Sequence, residues 1–181
     1  ANTPVSSDEE DDEDGGTVLS SGYIRSDGGS ISLTAGGAIG TEGQGLRILD
    51  NGAVVNAAAQ GDIYVAGVSG TGSTGTLAIG NISSAGGNAS ITAETNIAFA
   101  ADSLVSVQNG TGTLTLTAEQ GSVTQGEGEE GSGIYAGTVD VSSKGSQLLE
   151  NAQNRVTNFV VRGLEEDNSL TGNVHLVSGA D

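Results

Sequence analysis

Short apolar–polar–apolar triplets recur along the chain at a regular interval. Five of them lie between Ile63 and Leu116, and the first four begin fourteen residues apart: Ile63-Tyr64-Val65, Leu77-Ala78-Ile79, Ile91-Thr92-Ala93, Val105-Ser106-Val107 and Leu114-Thr115-Leu116. Alternation of apolar and polar residues predicts β-strands, and the segments rich in Gly, Ser, Thr and Asn between them predict turns. A repeat this short is typical of a solenoid.

The interval of fourteen residues predicts half a turn of such a solenoid. Minor apolar positions such as Ile82 and Ile97 fall between the triplets, so one full turn would contain two or three strands with their connections. The 28 residues from Ile63 to Ile91 would then be about one turn. Strands of successive turns would stack in parallel. We therefore predict an all-β parallel β-helix, with an antiparallel β-sandwich as the alternative.

The same pattern divides the chain into two parts. Residues 1–16 are an acidic, low-complexity linker, and residues 17–181 are the β-helix segment. Within this segment the repeat is most regular over residues 63–116, and residues 117–181 form irregular coils. Because the chain begins with Ala1, we expect it to be a processed piece of a longer protein.

The segment from Ser146 to Gly163 allows two interpretations. Leu149, Val156 and Val160 have near-helical spacing, so a short helix is one alternative. Phe159 and the two valines that follow it are residues with high β-propensity. We therefore predict strands in this segment.

The residue composition predicts a thin aliphatic core. The chain has 3 Tyr, 2 Phe and no Trp, Met or Cys, so Val, Ile, Leu and Ala must fill the interior. The 31 Gly residues with a single Pro indicate many tight turns. The absence of Cys excludes disulfides and thiolate metal sites.

The charge of the chain restricts its partners. With 23 acidic and 5 basic residues the formal net charge is −18. Phosphate contacts require clustered Lys and Arg, so we predict no nucleic-acid binding. Anionic membrane surfaces are disfavoured for the same reason, and no apolar run is long enough to insert into a bilayer. An acidic surface instead favours solubility and divalent cations.

Two acidic segments are candidates for binding Ca²⁺, the only cofactor that we consider. The first is a run of seven consecutive carboxylates: Asp8, Glu9, Glu10, Asp11, Asp12, Glu13 and Asp14. Consecutive acids lack the spaced ligands of a tight calcium loop, so the alternative is a solvated linker. The second is the Gly-rich loop Glu127–Gly133, which we expect to be a surface excursion between coils.

Asn recurs in the predicted turns, at Asn51, Asn56, Asn81, Asn88, Asn96 and Asn109. Asn tolerates the left-handed conformation and bonds local backbone, and stacked Asn side chains can form ladders along a solenoid. Asn81, Asn88 and Asn109 also match the glycosylation sequon, although chance matches are frequent in such a composition. We favour the structural interpretation of these residues.

A search for catalytic groups finds no motif that supports an enzyme. The five bases Arg25, Arg47, Lys144, Arg155 and Arg162 are scattered, and we expect the last two to form local ion pairs with the acids at 165–167. His175 should face outward by alternation. Asp140 should also face outward, and we expect both Asp62 and Asp140 to be solvated. A β-helical polysaccharide lyase is therefore only a remote alternative.

Four stretches share one style of sequence repeat, in which apolar triplets alternate with Ala, Gly, Thr and Asn. They are Gly29-Ser30-Ile31-Ser32-Leu33-Thr34-Ala35-Gly36-Gly37-Ala38-Ile39, Leu114-Thr115-Leu116-Thr117-Ala118 with Gly121-Ser122-Val123-Thr124-Gln125, Ile134-Tyr135-Ala136-Gly137-Thr138-Val139-Asp140-Val141-Ser142, and Leu149-Glu150-Asn151-Ala152-Gln153-Asn154-Arg155-Val156. This style resembles the repeat region of large secreted β-helical adhesins of bacteria, the filamentous-haemagglutinin-like proteins, over roughly residues 29–178. The resemblance implies a right-handed parallel β-helix, export, and a surface or extracellular role.

These observations predict a structural or adhesive segment of an exported surface protein. Its partners would be flanking coils of the same polypeptide or identical subunits stacked end to end, since an open solenoid exposes unpaired strand edges. Surface glycans are a further expected partner. A module that binds Ca²⁺ or glycans through its acidic loops is the alternative function.

Overall fold

The computed structural model describes residues 22–26, 28–164, 169 and 171–179. This part of the chain contains fourteen strands, one short 3-10 helix at Gln108–Gly110 and no α-helix. The strands are β1 (Ser30–Ala35), β2 (Leu46–Leu49), β3 (Asn51–Ala59), β4 (Ile63–Val68), β5 (Thr76–Ser84), β6 (Ala89–Ala93), β7 (Asn96–Phe99), β8 (Leu104–Val107), β9 (Thr113–Ala118), β10 (Val123–Gln125), β11 (Gly133–Ser143), β12 (Gln147–Leu149), β13 (Arg155–Gly163) and β14 (Val174–Leu176).

The strands wind into a β-solenoid of about six turns. All paired strands are parallel, so the prediction of a parallel β-helix is confirmed and the antiparallel sandwich is wrong. The handedness of the winding stays a prediction. The segment from Ser146 to Gly163 forms β12 and β13, so the strand prediction is correct there and the short helix is not.

Each turn contributes to three faces. The first face consists of residues 51–55 of β3, residues 76–79 of β5, and β7, β10, β12 and β14. The second face consists of residues 57–59 of β3, residues 82–84 of β5, β8 and residues 133–135 of β11. The third face consists of β2, β4, β6, β9, residues 138–143 of β11 and residues 158–163 of β13.

Because each turn has three faces, the prediction that fourteen residues make half a turn is wrong. Ile63 lies on the third face and Leu77 on the first, Ile91 returns to the third, and Val105 lies on the second. The interval of fourteen residues therefore does not alternate between two faces. One turn here is 26 residues, because Ile63 pairs with Ala89 and Val65 pairs with Ile91.

The interior is a stack of aliphatic side chains, as the composition predicts. On the third face Val65, Ile91, Leu116 and Val141 lie above one another in register, and each is at most 2% exposed. Successive side chains of a strand point to opposite sides, so every second residue enters this core. Of the two phenylalanines, Phe99 is buried in the core and Phe159 packs against it at one end.

Side chains in the turns connect successive coils along the solenoid axis. Asn56 Oδ1 accepts a hydrogen bond from the Asn81 amide (2.8 Å), and Asn81 Oδ1 accepts one from the Leu104 amide (2.9 Å). A second ladder runs from Asn96 through Ser122 to Ser146, with an N–H···O distance of 2.9 Å at each step. The asparagines thus provide the ladders that the sequence predicts, but only Asn109 among the six adopts the left-handed conformation.

Candidate functional site

Of the two segments predicted to bind Ca²⁺, only the loop Glu127–Gly133 belongs to the described part of the chain. The run from Asp8 to Asp14 lies outside the described residues. In the loop Glu127–Gly133 the three glutamates are exposed, and the Glu129 amide donates a hydrogen bond to Asp102 Oδ1 (3.0 Å). Within the described ranges no group of three or more His, Asp or Glu side chains is placed to hold a metal ion.

The same acidic loop borders a pocket of about 220 Å³. The pocket lies where the first face turns towards the second. It is lined by Phe99, Ala100, Ala101, Asp102, Ser103, Gln125, Gly126, Glu127 and Asn151. Residues from three successive turns therefore converge here, which the linear sequence does not indicate.

Gln125 is the lining residue whose environment is unusual. Its side chain is 4% exposed, its Oε1 accepts a hydrogen bond from Asn154 Nδ2 (2.9 Å), and its Nε2 has no partner in the described part of the chain. The orientation of both amides is determined, because Asn154 Oδ1 accepts from the Ile134 amide (2.7 Å) and Asn154 Nδ2 also donates to the Val177 carbonyl (3.1 Å). The unpaired atom of Gln125 is therefore a donor.

The Nε2 atom of Gln125 is itself buried, so this donor is not open to a ligand in the pocket. Asp102 and Glu127 also line the pocket, and carboxylates accept hydrogen bonds from hydroxyl or ammonium groups. A polyhydroxylated ligand can donate to these groups.

A second cluster surrounds a buried carboxylate that the sequence analysis missed. Asp50 is 1% exposed and lies between β2 and β3. Its side chain accepts hydrogen bonds from the hydroxyls of Ser69 (3.3 Å), Thr95 (3.0 Å) and Ser73. No basic group contacts the carboxylate in the described structure, so hydroxyl donors compensate the loss of hydration. The cluster joins three consecutive turns and is structural.

Arg162 has an ion-pair partner that the sequence did not predict. Arg162 pairs with Asp140 of the preceding turn (2.6 Å to Oδ2), and this hydrogen bond, together with the charge of Asp140, raises the pKa of Arg162. The acids at 165–167 lie outside the described residues. Asp140 is therefore paired and not solvated, and Asp62 Oδ1 accepts the Asn88 amide (2.6 Å).

His175 faces outward, as its position in the strand predicts. Its side chain is 62% exposed and its Nδ1 lies 2.9 Å from Glu150 Oε1. Glu150 belongs to the turn that precedes it along the solenoid, so this contact is another link between coils.

The buried polar residues were only partly recognisable in the sequence. In Val123-Thr124-Gln125 the alternation places Gln125 on the same side as Val123, so an inward glutamine was predictable. Nothing in the sequence indicated that Asn154 would reach it, because the two residues belong to different turns.

Comparisons with known proteins leave the chain without a match. No family model, no curated protein and no solved structure matches it. The resemblance to filamentous-haemagglutinin-like adhesins therefore stays a prediction. No helix in the described residues is long and apolar enough to span a membrane.

Proposed function

We propose that this chain is a structural and adhesive segment of a large exported bacterial surface protein. It would form part of a rod or fibre and mediate attachment to cells or assembly of a matrix. The observation that carries the proposal is the continuous parallel stack of about six turns, in which strand pairing and side-chain ladders run along one axis. Such a stack of turns can bear load along its axis, and further turns can be added at its ends.

The ends of the stack support end-to-end association. In the described structure β1 pairs only with β3, and β13 pairs only with β11, so each has one edge without a strand partner. Unpaired parallel edges are templates for a further strand. We propose that flanking coils of the same polypeptide or identical subunits occupy them, and that the site of action is the cell surface or extracellular space.

Solution scattering and electron microscopy over a concentration series test this proposal. Six turns at about 4.8 Å per turn rise only about 29 Å, so one copy alone is not a long rod. We expect particle length to increase with concentration while the cross-section stays constant. Association through a lateral face, which would increase the cross-section instead, contradicts the proposal.

A second candidate is a binding module for glycans or Ca²⁺ at the pocket beside Gln125, where the carboxylates of Asp102 and Glu127 can accept hydrogen bonds from sugar hydroxyls. The amide signal of the Gln125 side chain in an NMR titration with neutral oligosaccharides tests this candidate. We expect that signal to shift with sugar and to remain unchanged with Ca²⁺. No shift with any sugar would discard the pocket as a binding site.

A further inference from the structure

The outward side of the third face carries an ordered array of hydroxyl groups. Strands β6, β9 and β11 contribute it, and its half-exposed members are Ser90, Thr92, Thr113, Thr115, Thr117 and Thr138. The register places Ser90 beside Thr115 and Thr92 beside Thr117. It also places Thr113 beside Thr138. The hydroxyls therefore occupy rows and columns of a grid.

The grid has a regular spacing because the strands pair without a register shift. Pairing of β4 with β6, of β6 with β9 and of β9 with β11 is continuous over the paired residues. Neighbouring parallel strands lie about 4.8 Å apart, and alternate residues of one strand are about 6.6 Å apart. A surface with these two repeats matches a partner that is itself periodic.

The hydroxyls of the grid are not used inside the protein. None of the six donates or accepts a side-chain hydrogen bond to the described part of the chain, in contrast to hydroxyls in the turns. Ser84, for example, donates to the Gly61 carbonyl (2.8 Å), and Ser122 accepts from the Ser146 amide. The grid therefore keeps its hydrogen-bonding capacity for water or a partner.

The strands of the third face carry little charge on an acidic protein. Their charged residues are Arg47, Asp140 and Arg162, and the last two form an ion pair. The whole chain carries −18. The other acids lie at the borders of the face: Glu42 and Asp62 are close enough to act on Tyr64, and Glu94 and Glu119 follow β6 and β9. A neutral partner can approach this face without the repulsion that an anionic polymer meets.

We infer that the third face binds a neutral polysaccharide. Sugar hydroxyls both donate and accept, so they can pair with each row of the grid. Tyr64, which lies beside Ser90 in the register, adds an aromatic ring on which a sugar can pack. A second copy of this chain is the poorer occupant of this lateral face, because its outward side chains are mostly hydroxyls, whereas a stable interface between copies buries an apolar core. The inference deepens the proposed function, since it names the partner of the lateral surface.

Co-sedimentation with insoluble polymers tests this inference. The probes are microcrystalline cellulose and chitin, with alginate beads as the anionic comparison. The variant Thr92→Val/Thr115→Val/Thr117→Val removes three hydroxyls and keeps β-branched side chains of the same shape. We expect the full chain to bind a neutral polymer and the triple variant to bind at least about tenfold more weakly, because three hydrogen bonds are lost.

A control variant separates this face from other surfaces. Ser83→Ala/Ser106→Ala removes two adjacent outward hydroxyls from the second face. It should bind as the unmodified chain does. Circular dichroism and the melting temperature verify that every variant is folded.

Three outcomes overturn the inference. They are no binding to either neutral polymer, equal loss in the triple variant and in the second-face control, and preferential binding to alginate. A freezing-point depression that disappears in the triple variant would instead assign ordered water as the partner. If polysaccharide binding persists while no end-to-end growth is observed, the rod proposal fails and this inference stands.

Discussion

The hydroxyl of Thr95 donates a hydrogen bond to Asp50 Oδ2 at 3.0 Å, although 45 residues separate the two. Asp50 lies between β2 and β3, and Thr95 lies between β6 and β7, almost two turns further along the solenoid. Ser73, from the intermediate turn, donates to the other carboxylate oxygen. One buried side chain thus joins three turns at a corner where strand pairing is interrupted.

Substitution Asp50→Ala should destabilise the solenoid by about 3 kcal/mol. The change removes a buried carboxylate and leaves the hydroxyls of Ser69, Ser73 and Thr95 without their common acceptor. Chemical denaturation followed by circular dichroism measures the free energy of unfolding.

The matched control for this prediction is Glu119→Ala, which removes a carboxylate from an exposed turn. It should change the free energy of unfolding by no more than about 0.5 kcal/mol. Equal effects of the two substitutions would show that the buried cluster does not stabilise the fold.

Asn154 should be far more sensitive than Gln125 to replacement by leucine. Asn154→Leu leaves the Ile134 amide, the Val177 carbonyl and Gln125 Oε1 unpaired, and should cost about 3 kcal/mol. Gln125→Leu removes an unpaired N–H group and leaves one N–H of Asn154 without its acceptor, while Asn154 keeps its bond to the Val177 carbonyl, so its cost should be smaller, about 1 kcal/mol. Denaturant titration of the two variants measures the difference, and the reverse order would contradict the assigned amide orientations.

Gly121 should not tolerate a side chain, because a ladder passes next to it. A Cβ atom at this position would clash with Asn96 Oδ1, which accepts a hydrogen bond from the Ser122 amide. Gly121→Ala should therefore lower stability by about 1–3 kcal/mol. Gly126→Ala is the control, since open space surrounds that position, and it should be neutral within about 0.5 kcal/mol. Thermal unfolding compares the two variants.

Tyr64 should make the fold sensitive to alkaline pH. Burial, and then the negative charges of Asp62 and Glu42, raise the pKa of its phenol from the usual 10.0. The folded state therefore holds the proton more tightly than the unfolded state. The resulting stability is fully present below pH 10 and decreases as the pH rises towards the folded pKa.

Ultraviolet titration of the phenol and denaturation at several alkaline pH values measure this effect. In Tyr64→Phe the part of the alkaline decrease that depends on this group should disappear. An identical decrease in stability for Tyr64→Phe and the unmodified chain would show that Tyr64 does not contribute.

The strand pattern could be predicted because it depends on local chemistry. Ile91, Leu114 and Leu116 enter the core because they alternate with polar residues, and the alternation is visible in the sequence. The number of residues in one turn of the solenoid was harder to predict from the sequence. Ile63 pairs with Ala89 and not with Ile91, since the number of faces per turn depends on the conformation of each corner.

Most of the candidate site could not be predicted from the sequence. The acidic loop at 127–133 was recognised as a candidate for binding Ca²⁺, but the pocket beside it and the unpaired buried amide N–H of Gln125 were not. Asp50 was not singled out, because an isolated acid after a strand looks solvated until the hydroxyls of other turns are placed around it.

The sequence by itself determined the β-strands, the aliphatic core, the acidity and the ladder-forming character of the asparagines. All of these follow from the side chains and their immediate neighbours. Only the tertiary structure decided which turns meet: Thr95 at Asp50, Asn154 at Gln125, and the grid that Ser90, Thr115 and their neighbours form. These contacts depend on the register between turns, which the sum of core packing and corner geometry selects and no local pattern encodes.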